Sequence, residues 1–159
     1  MTNNLSKKLQ HWLQHYHRDL TLNANGTCYL TVNSQLQILL MSSFNANTVH
    51  LYCPLMVLDS PSCHQLALSA LTLNLYKDPS IQGVLGYDNT SAQLVYTFVL
   101  DERHYNNNMH EMQFRSALND FIHNCQTLLE SFEKTRHGNR LLPYNAIPTT
   151  HSTHSLMSE

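Results

Sequence analysis

Residues 61–76, PSCHQLALSALTLNLY, are apolar on two sides of the helix that their spacing predicts. Asp59 or Ser60 is placed to act as N-cap, and Pro61 stands at the first helical position, where its missing N–H costs nothing. At about 100° per residue, Leu66, Ala70 and Leu73 gather on one side, while Leu68, Leu71 and Leu75 fall on another. A helix lying on a single core needs an apolar stripe only somewhat wider than about 100°. The surplus must be buried by something, and a short chain offers few candidates within itself. A second copy of the chain is the simplest cover, so a homodimer is expected. A helix sandwiched inside one monomer is the other reading.

The chain has 159 residues, enough for one domain with a real core and a tail. Nine basic side chains stand against eleven acidic ones, with no basic stripe, which argues against nucleic acid as a partner. The most apolar stretches, 36–41 and 51–58, are too short to span a membrane, and the polar, amphipathic start MTNNLSKKLQHWLQ is not expected to act as a secretory signal. Cys28, Cys53, Cys63 and Cys125 show no CxxC spacing and sit in or beside apolar segments. They read as small buried hydrophobes in a reducing compartment, and a cytoplasmic location is expected.

Leu5, Leu9, Trp12, Leu13 and Tyr16 recur at helical spacing and predict a first amphipathic helix. Alternation then predicts three strands: one through Cys28, Leu30 and Val32, one through Leu36, Ile38 and Leu40 after an Asn33-Ser34 turn, and one through Val49, Leu51 and Cys53, stopped by Pro54. Beyond the two-sided helix, GVLGYD and QLVYTFVLD flank a tight DNTS turn and predict a hairpin. The last helix has Asn108 and Glu111 as a capping-box-like start and Phe114, Ala117, Leu118, Phe121, Cys125, Leu128 and Phe132 on one face, with Gly138 at its end. The order is α-β-β-β-α-β-β-α, an α+β fold with a twisted antiparallel sheet packed with three helices. The domain spans residues 1–137. Residues 138–159, with two prolines and many Ser/Thr, are expected to be a flexible tail.

Chemistry is harder to find. His11 and His15 sit four apart on the first helix, a spacing that suits one metal ion, yet they lie on its polar face and no third ligand follows from spacing. They read as solvated histidines, and neither a metal nor a cofactor is expected. Cys63 and His64 are adjacent, so their side chains point about 100° apart on a helix. There is no GxSxG motif, and four glycines supply no phosphate loop. Asp19, Asp59, Asp78, Asp88 and Asp101 fall at element ends, as caps and turn residues do. An enzyme is not expected. What remains is apolar surface. The stripe of the first helix either closes the core or leaves part of itself to receive a partner's extended segment, by strand addition or by apolar anchors in pockets.

Four stretches carry a family resemblance: NGTCYLTVNSQLQILL, VHLYCPLMVL, LTLNL followed by GVLGYD, and FRSALNDFIHNCQTLLESF. Over about residues 5–135 the chain resembles the class I chaperones of type III secretion, the Tir chaperone (CesT-like) family. The resemblance implies a cytoplasmic bacterial homodimer that binds the N-terminal region of a secreted effector and keeps it extended, soluble and competent for export. It implies the export-apparatus ATPase as a further partner and no nucleotide hydrolysis by the chaperone. It places Leu66, Ala70, Leu71, Leu73 and Leu75, with Val84 and Tyr87, at the dimer interface, and Leu9, Trp12, Leu13, Tyr16, Leu30, Ile38 and Leu40 around the cargo groove. The chain departs from the family in being nearly neutral rather than acidic, which weighs against electrostatic recruitment, and in continuing from residue 138 to 159. The other functions considered are a dimeric adaptor of the same fold serving a regulator and a histidine-dependent metal enzyme.

Overall fold

The computed structural model describes residues 4–43, 47–58, 63–75 and 82–137. Helix α1 (Asn4–Tyr16) leads into strands β1 (Thr27–Thr31), β2 (Gln37–Ser43) and β3 (Thr48–Val57). Helix α2 (His64–Leu75), strands β4 (Val84–Asp88) and β5 (Gln93–Asp101) and the long helix α3 (Glu111–Arg136) follow, in the expected order. All pairings are antiparallel, and the spatial order is β1-β2-β3-β5-β4. The proposed caps Asp59, Ser60 and Gly138, Pro61, and the expected tail at 138–159 lie outside the described residues.

Side-chain oxygens shape the tight connections. Asn33 Oδ1 accepts the N–H groups of Gln35 and Leu36, each at 2.9 Å, and turns β1 into β2. Asp88 does the same between β4 and β5, accepting from Thr90 N at 2.9 Å and from the Ser91 hydroxyl at 2.8 Å. Short polar side chains that bond their own backbone two or three residues on are what such turns require. After β5, Asp101 Oδ1 accepts from Arg103 N and Nε, each at 2.9 Å, and these bonds hold its carboxyl at about 2. At the entry to β4, Gly83 has φ 108°, and a Cβ there would stand 2.8 Å from the Thr97 carbonyl oxygen.

Two boundaries differ from expectation. Proline does not stop β3, which runs on through Pro54 to Val57, paired with β5 and slipping register between Pro54 and Met56. The pairing with β2 ends at Tyr52, so Pro54 lies where β3 has one neighbour, and there a missing N–H is tolerated. Helix α3 starts at Glu111 with His110 as N-cap, whose N–H donates to Gln113 Oε1 at 2.8 Å, instead of at Asn108. Farther along α3, Leu129 is buried and Leu128 only half-buried, the drift expected of a 3.6-residue period over several turns.

The core lies between one face of the sheet and the helices. Ile38, Leu40, Val49, Leu51, Cys53 and Tyr96 point from the strands toward Phe114, Leu118, Phe121 and Cys125 of α3, and all are buried. Tyr96 stacks on Phe121 at 5.0 Å and donates its hydroxyl to the Gln82 carbonyl. Helix α2 contributes Leu66 and Ala70 to this core and runs beside the outer edge of β4. There the Asn74 amide acts as a surrogate strand: its Nδ2 donates to Leu85 O and its Oδ1 accepts from Leu85 N, each at 2.8 Å. Asn74→Ala would leave both backbone groups without these partners and should cost about 1–3 kcal/mol. Urea unfolding checks this, with a lowered midpoint and an unchanged slope expected.

Candidate functional site

Helix α1 is fastened along its apolar stripe and on both flanks of it. Leu5, Leu9 and Leu13 have no exposed surface, and Trp12 stacks on Phe114 at 5.5 Å. Around this stripe Ser6 Oγ meets Ser42 Oγ at 2.8 Å, Lys8 Nζ pairs with Glu102 at 2.9 Å, Gln10 Oε1 accepts from Leu22 N at 2.7 Å, and the Tyr16 hydroxyl donates to Asn119 Oδ1 at 3.0 Å. Ile38 and Leu40 are fully buried beneath it, while Tyr16 and Leu30 are half-buried against the same core. The seven residues assigned to a cargo groove therefore sit together, five of them as buried packing and Tyr16 and Leu30 partly exposed. The stripe's width showed that α1 is amphipathic. It could not show that Phe114, far along the chain, would cover Trp12.

The residues assigned to a dimer interface divide into two groups. Leu66 and Ala70 face the protomer's own core, and Leu73 is half-buried on it, because their side of α2 meets β4 and α3. Leu71, Leu75, Val84 and Tyr87 are exposed, at 58, 79, 47 and 53 %. Leu68 joins them, so Leu68, Leu71 and Leu75 form one uncovered stripe at i, i+3 and i+7 beside β4. Each uncovered leucine withholds about 25 cal/mol per Å² of apolar area from the stability of a lone chain.

A second apolar surface lies on the other face of the sheet. The strand registers align Tyr29, Leu39, Tyr52, Thr97 and Val84 in one row across all five strands, on the sheet face turned away from the core. The next row holds Thr27, Met41, His50 and Val99. Leu39, Met41 and Tyr52 are half-buried, Tyr29 and Val99 exposed. The signal was present in QILLMSS and LYCPLMV, which are apolar in both phases of the alternation.

The four cysteines are free and buried. Cys125 hydrogen-bonds to Cys53, and this bond together with burial pushes the Cys125 thiol far up; burial also raises Cys28. Thiols held protonated in this way pack as small hydrophobes. Among the described residues, one group of side chains could hold a metal ion, His11 and His15 with Glu111. No helix among those residues is long and apolar enough to cross a membrane.

The sequence matches the model of the Tir chaperone protein (CesT) family over residues 7–129. The chain belongs to the CesT family. No curated protein sequence matches it at a significant level. Solved structures resemble it along nearly their whole length. A chain of the HopA1–SchA chaperone–effector complex is 14 % identical with a TM-score of 0.58, and the alignment covers 79 % of this chain and 95 % of that one. A chain of the ExsC–ExsE complex is 13 % identical at 0.61, covering 79 and 94 %. The Yersinia pestis type III secretion chaperone SycH in complex with a fragment of YscM2 gives 15 % and 0.57, covering 79 and 99 %. At such identities the likeness concerns the fold: the α-β-β-β-α-β-β-α order and five-stranded sheet are those of CesT-type chaperones.

Placement of Trp12 in the core of this CesT-family fold has a measurable consequence. Trp12→Ala should destabilise the protein by about 3–5 kcal/mol, as large-to-small changes at buried aromatic sites do. Thermal or urea unfolding reads this directly, and a loss below about 1 kcal/mol would return Trp12 to the surface.

Proposed function

We propose that this protein is a type III secretion chaperone that pairs with a second copy of itself through α2 and β4 and holds the N-terminal region of a secreted effector in extended form. The observation that carries the reading is the stripe of Leu68, Leu71 and Leu75, with Val84 and Tyr87 on opposite faces of the edge strand β4, all of which the described residues leave in water. Membership of the CesT family supports it, as does the likeness to a chain of a chaperone–effector complex. A two-fold interface brings the same stripe from both copies together, so each leucine counts twice. Buried free cysteines suit a reducing compartment, which favours the cytoplasm.

The work is binding without bond-making. An effector segment that would otherwise collapse or aggregate lays apolar side chains on the outward sheet face, along the Tyr29–Leu39–Tyr52 row. At the end of that row lies β1, the terminal strand, whose outer edge can take an added strand through backbone hydrogen bonds. Ordering an extended chain costs entropy, and a long contact with several apolar anchors offsets it. The outward face thereby replaces the α1 stripe as the cargo surface, since α1's apolar residues are already engaged.

Leu71→Asp should raise the dimer dissociation constant by roughly a hundredfold or more, because an unpaired charge buried in the interface costs about 3 kcal/mol. Sedimentation or light scattering at micromolar concentration reads the outcome, and an unchanged dimer would sink this interface. Leu39→Glu, on the outward face, should leave the dimer intact and weaken capture of a co-expressed effector N-terminal region by at least about tenfold. Full capture by that variant would move the cargo elsewhere.

A further inference from the structure

The polar face of α1 carries His11 and His15, both exposed, with ring centroids 4.1 Å apart and planes tilted by 56°. Imidazoles at i and i+4 stand over one another on a helix and can reach one ion. The fold supplies what sequence spacing did not. Glu111, the first residue of α3, brings its carboxylate against His15, with Oε2 3.1 Å from Nδ1. One donor atom from each of the three residues lies within 4.8 Å of the others. Donors around tetrahedral zinc stand about 3.3 Å apart, given bonds of about 2.0–2.1 Å. Side-chain rotation covers the difference, because all three residues are at least partly exposed and the contacts between them are ones the ion would replace. The backbones need not move: the Trp12–Phe114 stack and the Tyr16–Asn119 hydrogen bond hold α1 against α3 beside the cluster.

We propose that His11, His15 and Glu111 form a binding site for one divalent transition-metal ion of the zinc, nickel and copper group, which ties α1 to the start of α3. Two imidazoles and a carboxylate are the donor set these ions take, whereas magnesium and calcium require oxygen ligands throughout. Three protein donors leave a further coordination position for water. Arg115 is the local competitor, with Nη1 3.9 Å from Glu111 Oε1. An exposed pair of that length contributes little, so a metal ion displaces it at small cost. The bound ion replaces one histidine–carboxylate contact with a three-point connection between the two helices.

The test uses the full chain, with any affinity tag removed and metal stripped by chelation. Zinc is titrated calorimetrically, and copper is followed by quenching of Trp12, the chain's single tryptophan and the neighbour of His11. One equivalent should bind, and zinc at a hundredfold excess over Kd should raise the thermal midpoint by roughly 5–10 °C while magnesium does not. His11→Ala and Glu111→Gln should each weaken binding by at least about tenfold with little change in metal-free melting, and Arg115→Gln should tighten it. Zinc that binds both weakened variants as it binds the parent has gone to other histidines of the eleven, and the site is then wrong. Binding without any rise in the midpoint overturns the tie between the helices.

Discussion

The pairing of β3 with β5 is the interaction on which the rest of the molecule depends. It is the longest ladder in the sheet, running from Thr48 opposite Asp101 to Val57 opposite Gln93, and it joins strands that are not neighbours in sequence. Closing it costs loop entropy, which grows only slowly with the length of the intervening segment. The return is a central pair whose core-facing residues, Val49, Leu51, Cys53, Tyr96 and Leu100, form the floor under α3. The segment between the two strands becomes an excursion to the sheet's margin and back. That excursion is α2 and β4, and its position at the sheet's margin follows from the ladder.

This geometry explains why α2 is apolar on two sides. One side, Leu66 and Ala70, is needed to seat the excursion on the protomer's own core. The other side projects past β4, where the described chain brings no cover. The CesT-family reading gives that surplus a purpose, since a second copy meeting the same stripe would remove it from water. Helix α1 has the opposite fate. Its stripe is consumed by the core and its flanks by polar contacts to β2, to Glu102 and to α3.

Much of the architecture was legible because periodicity depends on local geometry. The stripes of α1 and α3, the alternation of β1 and β2, and the Asn33 and Asp88 turns all read directly from neighbouring residues. What was not legible depended on distant partners. The first helix's stripe left open whether Trp12 closes the core or anchors a partner, because nothing nearby in sequence announces Phe114. His11 and His15 lacked a third donor because Glu111 lies ninety-six residues beyond His15. Pro54 argued for the end of a strand, and only the early end of β2 explains why β3 continues. Leu39, Met41 and Tyr52 are a different case: the second apolar phase is visible in the sequence, but alternation alone does not say which phase faces the core.

The Asn74 amide at Leu85 has a consequence for how many copies can assemble. A sheet with two bare rims is a template for unlimited stacking, each molecule extending the one before. Here one rim is engaged at Leu85 by an amide of the same chain, which mimics a neighbouring strand without offering a further one. The two rims are thereby unlike: Leu85 of β4 already has its backbone partners, while β1 has β2 as its one neighbour in the sheet. For a protein with so much apolar surface, a rim whose backbone groups are already satisfied at one residue is a poorer template for edge-to-edge growth.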